Sequence, residues 1–161
     1  MSYQLVIAAL LLCGPAGLWA QDAGGQQVAF SVALKSDDQA AGDHGPFNTD
    51  TTLVFHRVVT NVGNGYDSNT GIFTAPIKGL YFVTFTGASG SEGGLNAAVM
   101  KDGVNMFAIY DNQNKFSSAT NSMALKLNAG DKLWVTLWAN KRIFDQSRLS
   151  TFSGFLISPL P

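Results

Sequence analysis

From Val28 to the C-terminus, apolar and polar side chains trade places at every second position in short runs, each cut off by Gly, Asn, Asp or Pro. A period of two is the period of an extended chain, whose successive side chains point to opposite faces of a sheet. Val28, Phe30, Val32 and Leu34 alternate with Ala29, Ser31, Ala33 and Lys35, which gives a first strand one apolar face. A Gly/Pro/Asp loop over residues 37–46 follows, and residues 51–59 resume in β-branched style. Residues 61–65 and 67–71 are turn-rich, whereas residues 79–86 are apolar on both faces and predict a buried central strand. Residues 95–101 and 104–110 flank Asp102-Gly103, a pair that favours a two-residue hairpin. Residues 122–127 and 132–139 flank an Asn-Ala-Gly-Asp turn, and a last strand runs from Leu149 to Ile157 and stops at Pro159. No segment carries a helical stripe between capping signals. About eight to ten short strands predict an all-β fold, a two-sheet sandwich with jelly roll as the leading topology.

Composition limits what such a sandwich does. The 161 residues make one ordinary domain, and Lys+Arg 10 against Asp+Glu 11 leave no basic surplus for phosphate neutralisation, so no nucleic-acid partner is expected. With 46% apolar residues, intrinsic disorder is excluded. Residues 1–20 read as a secretory signal peptide: the unbroken run Leu5 to Cys13 is about nine residues, less than half of what spans a bilayer, and Ala20 offers a cleavage point. A short polar, Gly-rich arm over residues 21–27 then leads into the domain, residues 28–161. Cys13 lies inside the signal, so the mature chain is expected to be free of disulfides and held by core packing and subunit contacts. There is no collagen repeat, no heptad and no Asn-x-Ser/Thr acceptor. The expected product is secreted and extracellular, with no membrane insertion.

Signals for chemistry are sparse. His44 in the Gly/Pro loop and His56 in a strand-like run belong to no catalytic pattern, and close-spaced Cys and His ligands for zinc are absent. Asp37-Asp38 reads as a solvated turn, and Glu92, the one glutamate, sits in a flexible Gly/Ser segment, so no acid and base face one bond. The expectation is a protein that is not an enzyme. Asp111, Asn112, Gln113 and Asn114 gather oxygen-bearing side chains that suit Ca²⁺, which takes six to eight oxygens in irregular geometry, or else form a plain polar turn. Lys141, Arg142 and Arg148 form a small basic group, read either as a contact for anionic polymers or as a solvated loop.

Between Phe55 and Phe85 the spacing of rings and glycines becomes specific. Phe55, Asn61, Tyr66, Phe73, Gly79, Tyr81 and Phe85 stand at the intervals found in the C1q globular-head family, which the chain resembles from about Val28 to Pro161. Val83 departs, standing where that pattern has Phe. The ending from Leu149 to Pro159 and the run Gly130-Asp-Lys-Leu-Trp-Val135 are similar to the family's last two strands. The resemblance implies a ten-stranded jelly roll shared with tumour necrosis factor-like ligands, assembled as a homotrimer. The matched residues are then structural, filling the core or the subunit seam, and recognition falls to the loops 44–48, 89–96, 111–118 and 140–148. It also implies a recognition module for microbial or cell-surface ligands, of the innate-immune pattern-recognition type. The alternative is a secreted ligand for one cell-surface receptor. Calcium near the trimer apex of several relatives draws attention to Asp111 and its neighbours.

Overall fold

The computed structural model describes residues 26–112 and 115–161. Residues 1–25, where the signal peptide and the first part of the arm are expected, lie outside the described residues, as do Gln113 and Asn114. All regular structure in those residues is β, and no helix among them is long and apolar enough to cross a membrane. The strands in chain order are β1 (Ala29–Ala33), β2 (Gly42–His44), β3 (Thr51–Thr52), β4 (Arg57–Val62), β5 (Tyr66–Asp67) and β6 (Ile72–Thr74). Then come β7 (Gly79–Ser89), β8 (Leu95–Lys101), β9 (Val104–Asp111), β10 (Ser117–Leu127), β11 (Lys132–Leu137), β12 (Ile143–Asp145) and β13 (Thr151–Pro159). Thirteen segments exceed the expected eight to ten because five of them, β2, β3, β5, β6 and β12, are three residues or shorter. Runs so brief show no periodicity from which to predict them.

Two antiparallel sheets result. The first follows the order β2-β12-β7-β13-β1-β4 with β10 on the other side of β7, and the second follows β5-β6-β11-β8-β9 with β3 beside β11. Neighbours far apart in sequence, such as β1 with β13 and β7 with β13, make the crossovers of a jelly roll. The expected tight hairpin is present: Asp102 and Gly103 both adopt left-handed φ, 48° and 87°, between β8 and β9. The Asn128 to Asp131 turn likewise joins β10 to β11, with Asp131 N donating to Asn128 O at 3.1 Å.

Between the sheets lies one apolar core. Phe30 stacks on Phe73 with ring centres 4.4 Å apart and meets Tyr66 at 5.9 Å and Phe152 at 4.9 Å. Phe152 passes the contact to Phe55 at 5.8 Å, Phe55 to Phe85 at 6.2 Å, and Phe73 to Tyr81 at 6.0 Å. The five spaced rings are thus one connected cluster, each fully buried Phe contributing about 1.5–3 kcal/mol relative to exposure. Tyr66 ties the cluster to the backbone: its hydroxyl donates to Phe55 O and accepts from Phe55 N, both at 3.1 Å. Burial pushes its phenol up to about 12, so it remains a donor. Asn61 completes the tie, accepting from Tyr66 N at 3.1 Å and donating to Tyr66 O at 2.8 Å. At Gly79 a Cβ would lie 2.3 Å from Leu156 Cδ1 and 2.9 Å from Ser158 O, so the β7–β13 crossing requires the missing side chain.

The expectation that residues 79–86 are buried on both faces holds for one face only. Tyr81, Val83 and Phe85 are buried in the core, while Leu80, Phe82, Thr84 and Thr86 point away from it and are half-exposed. Register puts Phe82 in a row with Val62, Ala29, Phe155 and Ala124, an apolar line across five strands. The adjoining row is Thr60, Ser31, Ser153, Thr84 and Ser122, an unbroken line of hydroxyls. Ser31 and Ser153 share a hydrogen bond of 2.9 Å within it.

Candidate functional site

The four loops singled out in the sequence meet at one end of the sandwich and are bonded to each other. His44 of β2 pairs with Ile143 of β12, and Phe144 of β12 pairs with Ala88 near the end of β7. Residues 140–148, expected as a loop, therefore contain a strand, fixed because Ile143 and Asp145 are both buried. Asn140 N donates to Phe47 O at 2.7 Å, and Arg142 N to Gly94 O at 3.2 Å, which joins three of the loops. The fourth is joined through Ser89, whose hydroxyl donates to Asp111 Oδ2 at 3.0 Å and lies 2.8 Å from Ser117 Oγ. Ser117 also donates to the Asp111 carboxylate. The strand β10 begins at Ser117, earlier than the expected Ser122, because the added residues, Ser-Ser-Ala-Thr-Asn, carry no apolar alternation to announce it.

The donor set around Asp111 is all oxygen: one carboxylate, two serine hydroxyls and the neighbouring Asn112. That chemistry fits a hard cation such as Ca²⁺. Gln113, expected among the ligands, lies outside the described residues. Among the described residues, no group of three or more His, Cys, Asp and Glu stands close enough to hold a metal.

The basic residues are distributed rather than pooled. Arg142 lies 3.7 Å from Asp43. Arg148 faces Asp37 at 3.5 Å, and Arg57 pairs with the other oxygen of the same carboxylate. Asp37 stands in a solvated turn as expected, and there its carboxylate meets both guanidinium groups. It forms one wall of a cleft of about 450 Å³ together with Lys35, Gln39, Gln146, Ser147 and Arg148. Asp145 closes the back of that cleft, its two oxygens accepting from Lys35 N at 3.0 Å and Ser150 N at 3.1 Å. Sequence reasoning missed Asp145 and Ser150. A lone Asp or Ser in a loop signals nothing until the fold buries it, as it does these two. A second hollow of about 350 Å³ shares Lys35 and Gln39 and contains both histidines. Burial, Lys35 and His56 together hold the His44 imidazole below its ordinary value. Beside Asp111 a small apolar hollow holds Phe116, which is 66% exposed and meets Phe144 edge-on at 5.2 Å.

The described residues thus form a jelly-roll sandwich with a packed aromatic core and a bonded set of loops at one end. The chain belongs to the C1q-domain family, whose sequence profile matches residues 29–157. It is 35% identical over 134 residues to Complement C1q tumor necrosis factor-related protein 3 of Mus musculus, over 81% of this chain and 51% of that protein. It is 31% identical over 140 residues to a Complement C1q subcomponent of Homo sapiens, over 83% of this chain and 51% of that one. The chain thus spans about half the length of the curated relatives it matches. Among solved structures, the globular domain of zebrafish complement 1qA protein superposes with a TM-score of 0.62 at 26% identity, over 83% of this chain and 99% of that one. Murine APRIL superposes with the same TM-score, 0.62, at 15% identity and the same coverage, and shares the fold alone.

Proposed function

We propose that this protein is a secreted, non-enzymatic homotrimer that recognises surface ligands through the loop end of its sandwich, as an innate-immune pattern-recognition module. The observation that carries the reading is the joining of loops 44–48, 89–96, 111–118 and 140–148 by backbone pairing and hydrogen bonds at one end. Loops fixed to one another form a pre-organised surface, which loses less freedom on binding than separate flexible loops do. Secretion follows from the apolar run of residues 5–13 ahead of Ala20. Three copies on one rigid body multiply a weak site when the ligand is repetitive, as microbial envelope polymers are. Asp111, Asn112 and Gln113 are assigned to calcium, which would brace the loop between β9 and β10.

Binding of the mature protein to a panel of microbial envelope polymers and to intact host cells tests the assignment. Several polymers bound with avidity that collapses when the assembly is dissociated is the expected result. One saturable host-cell receptor, with no polymer bound, would replace recognition by receptor signalling.

A further inference from the structure

The cleft walled by Asp37 and Arg148 retains features that packing alone does not require. Ser147 and Arg148 sit at successive left-handed positions, φ 53° and 67°, in a turn closed by Leu149 N donating to Gln146 O at 3.2 Å. Glycine would occupy either position without strain, yet the chain places a hydroxyl and a guanidinium there, and both line the cleft. Its back does not yield, because buried Asp145 is held by two backbone amides. Its walls are planar, two-pronged groups: the Asp37 carboxylate, the Arg148 guanidinium, and the carboxamides of Gln146 and Gln39, the last held by Ser36 N at 3.0 Å. Charge is balanced in its lining, with Lys35 and Arg148 against Asp37 and Asp145. A balanced set of two-pronged donors and acceptors matches adjacent hydroxyls on a ring and gives no advantage to an ion or an apolar group.

We propose that this cleft binds one neutral, hydroxyl-rich saccharide unit, with Asp37 accepting from a pair of adjacent hydroxyls and Arg148, Gln146 and Ser147 donating to sugar oxygens. The assignment deepens the recognition reading and rests on it. A cleft of about 450 Å³ has room for the bound unit and one linked neighbour, so each copy makes few contacts and strength comes from repetition.

Saturation-transfer NMR on the mature protein with methyl glycosides of mannose, galactose and N-acetylglucosamine, and with glucuronate as a charged probe, tests the site. At least one neutral glycoside binds the parent, and Asp37→Asn and Arg148→Gly weaken it by about tenfold. Val104→Ala, in the distant β8–β9 hairpin, leaves it unchanged. Should Asp37→Asn unsettle the fold by releasing Arg57, Gln146→Ala and Arg148→Gly carry the test, with subunit mass and melting temperature as checks. Neutral glycosides that ignore the parent, variants that bind as the parent does, or glucuronate alone bound and lost at high salt would each overturn the saccharide cleft. Polymer binding by the parent separates the two failures. Retained without glycoside binding, it leaves recognition standing and removes the cleft; lost as well, it removes both.

Discussion

Tyr66 shows what a spaced aromatic does beyond filling volume. Its hydroxyl replaces a strand partner for Phe55, satisfying the N–H and C=O of that buried residue at 3.1 Å each. Tyr66→Phe keeps the ring and orphans both groups, at about 1–3 kcal/mol apiece. Urea unfolding is expected to show a loss of at least about 2 kcal/mol with the slope unchanged, and a loss under about 0.5 kcal/mol would mean that water replaces the hydroxyl. His44 gives a second residue-scale expectation. Its native imidazole titrates below the unfolded value near 6.5 because it is half-buried and faces Lys35 and His56, with Asp43 also lining the hollow. Below that value the unfolded chain binds a proton the native one refuses, so this residue's contribution holds above about pH 6.5 and is lost on acidification. The midpoint of urea unfolding should therefore fall from pH 7 to pH 5 more steeply in the parent than in His44→Asn. Equal slopes would assign the acid sensitivity to other groups.

Elements differ in how much of them a sequence reveals. The β8–β9 hairpin is legible because Asp102-Gly103 states a local rule, two left-handed residues between alternating runs. The presence of β7 is legible from its apolar run, but its core face is not, since Leu80 and Phe82, which point outward, are as apolar as the buried Tyr81 and Val83. By contrast, β12 exists only because Gly42–His44, about a hundred residues earlier, pairs with it, and the polar start of β10 is held by β7. The candidate site was legible to the same degree. Its four loops could be named from their composition, but their meeting depends on long-range pairing, and the cleft needed Asp37, Arg57 and Arg148 together. Calcium is a question for the loop after β9. Adding millimolar Ca²⁺ to chelator-treated protein should raise its melting temperature by mass action, and Asp111→Ala should abolish the rise. Because Ser89 and Ser117 already bond Asp111, the variant will start from a lower melting temperature. The calcium-dependent difference is thus the readout, and no difference in the parent removes the metal.

At the scale of the whole molecule, the outward face of the first sheet offers a surface for the proposed assembly. Phe155 is 49% exposed and Ile157 50% exposed, and the row through Val62, Ala29, Phe82 and Ala124 adds apolar surface that the second sheet, on the opposite side, does not cover. The next row is hydroxyl throughout, so neither row places a charge in the way of close approach. Uncharged, partly apolar faces of this breadth mark association sites on soluble proteins. Assigned to the homotrimer seam, the face predicts the outcome of one substitution. Phe155→Glu puts a carboxylate beside Phe82, whose ring lies 5.6 Å away, without entering the core. Light scattering should fall from about three subunits to one, and the melting temperature should lose its dependence on concentration. The saccharide cleft lies outside these rows, so glycoside binding per chain should survive while polymer binding drops by orders of magnitude with the loss of multivalency. A Phe155→Glu protein that still weighs three subunits places the seam on another face, and the avidity argument must then be rebuilt around that geometry.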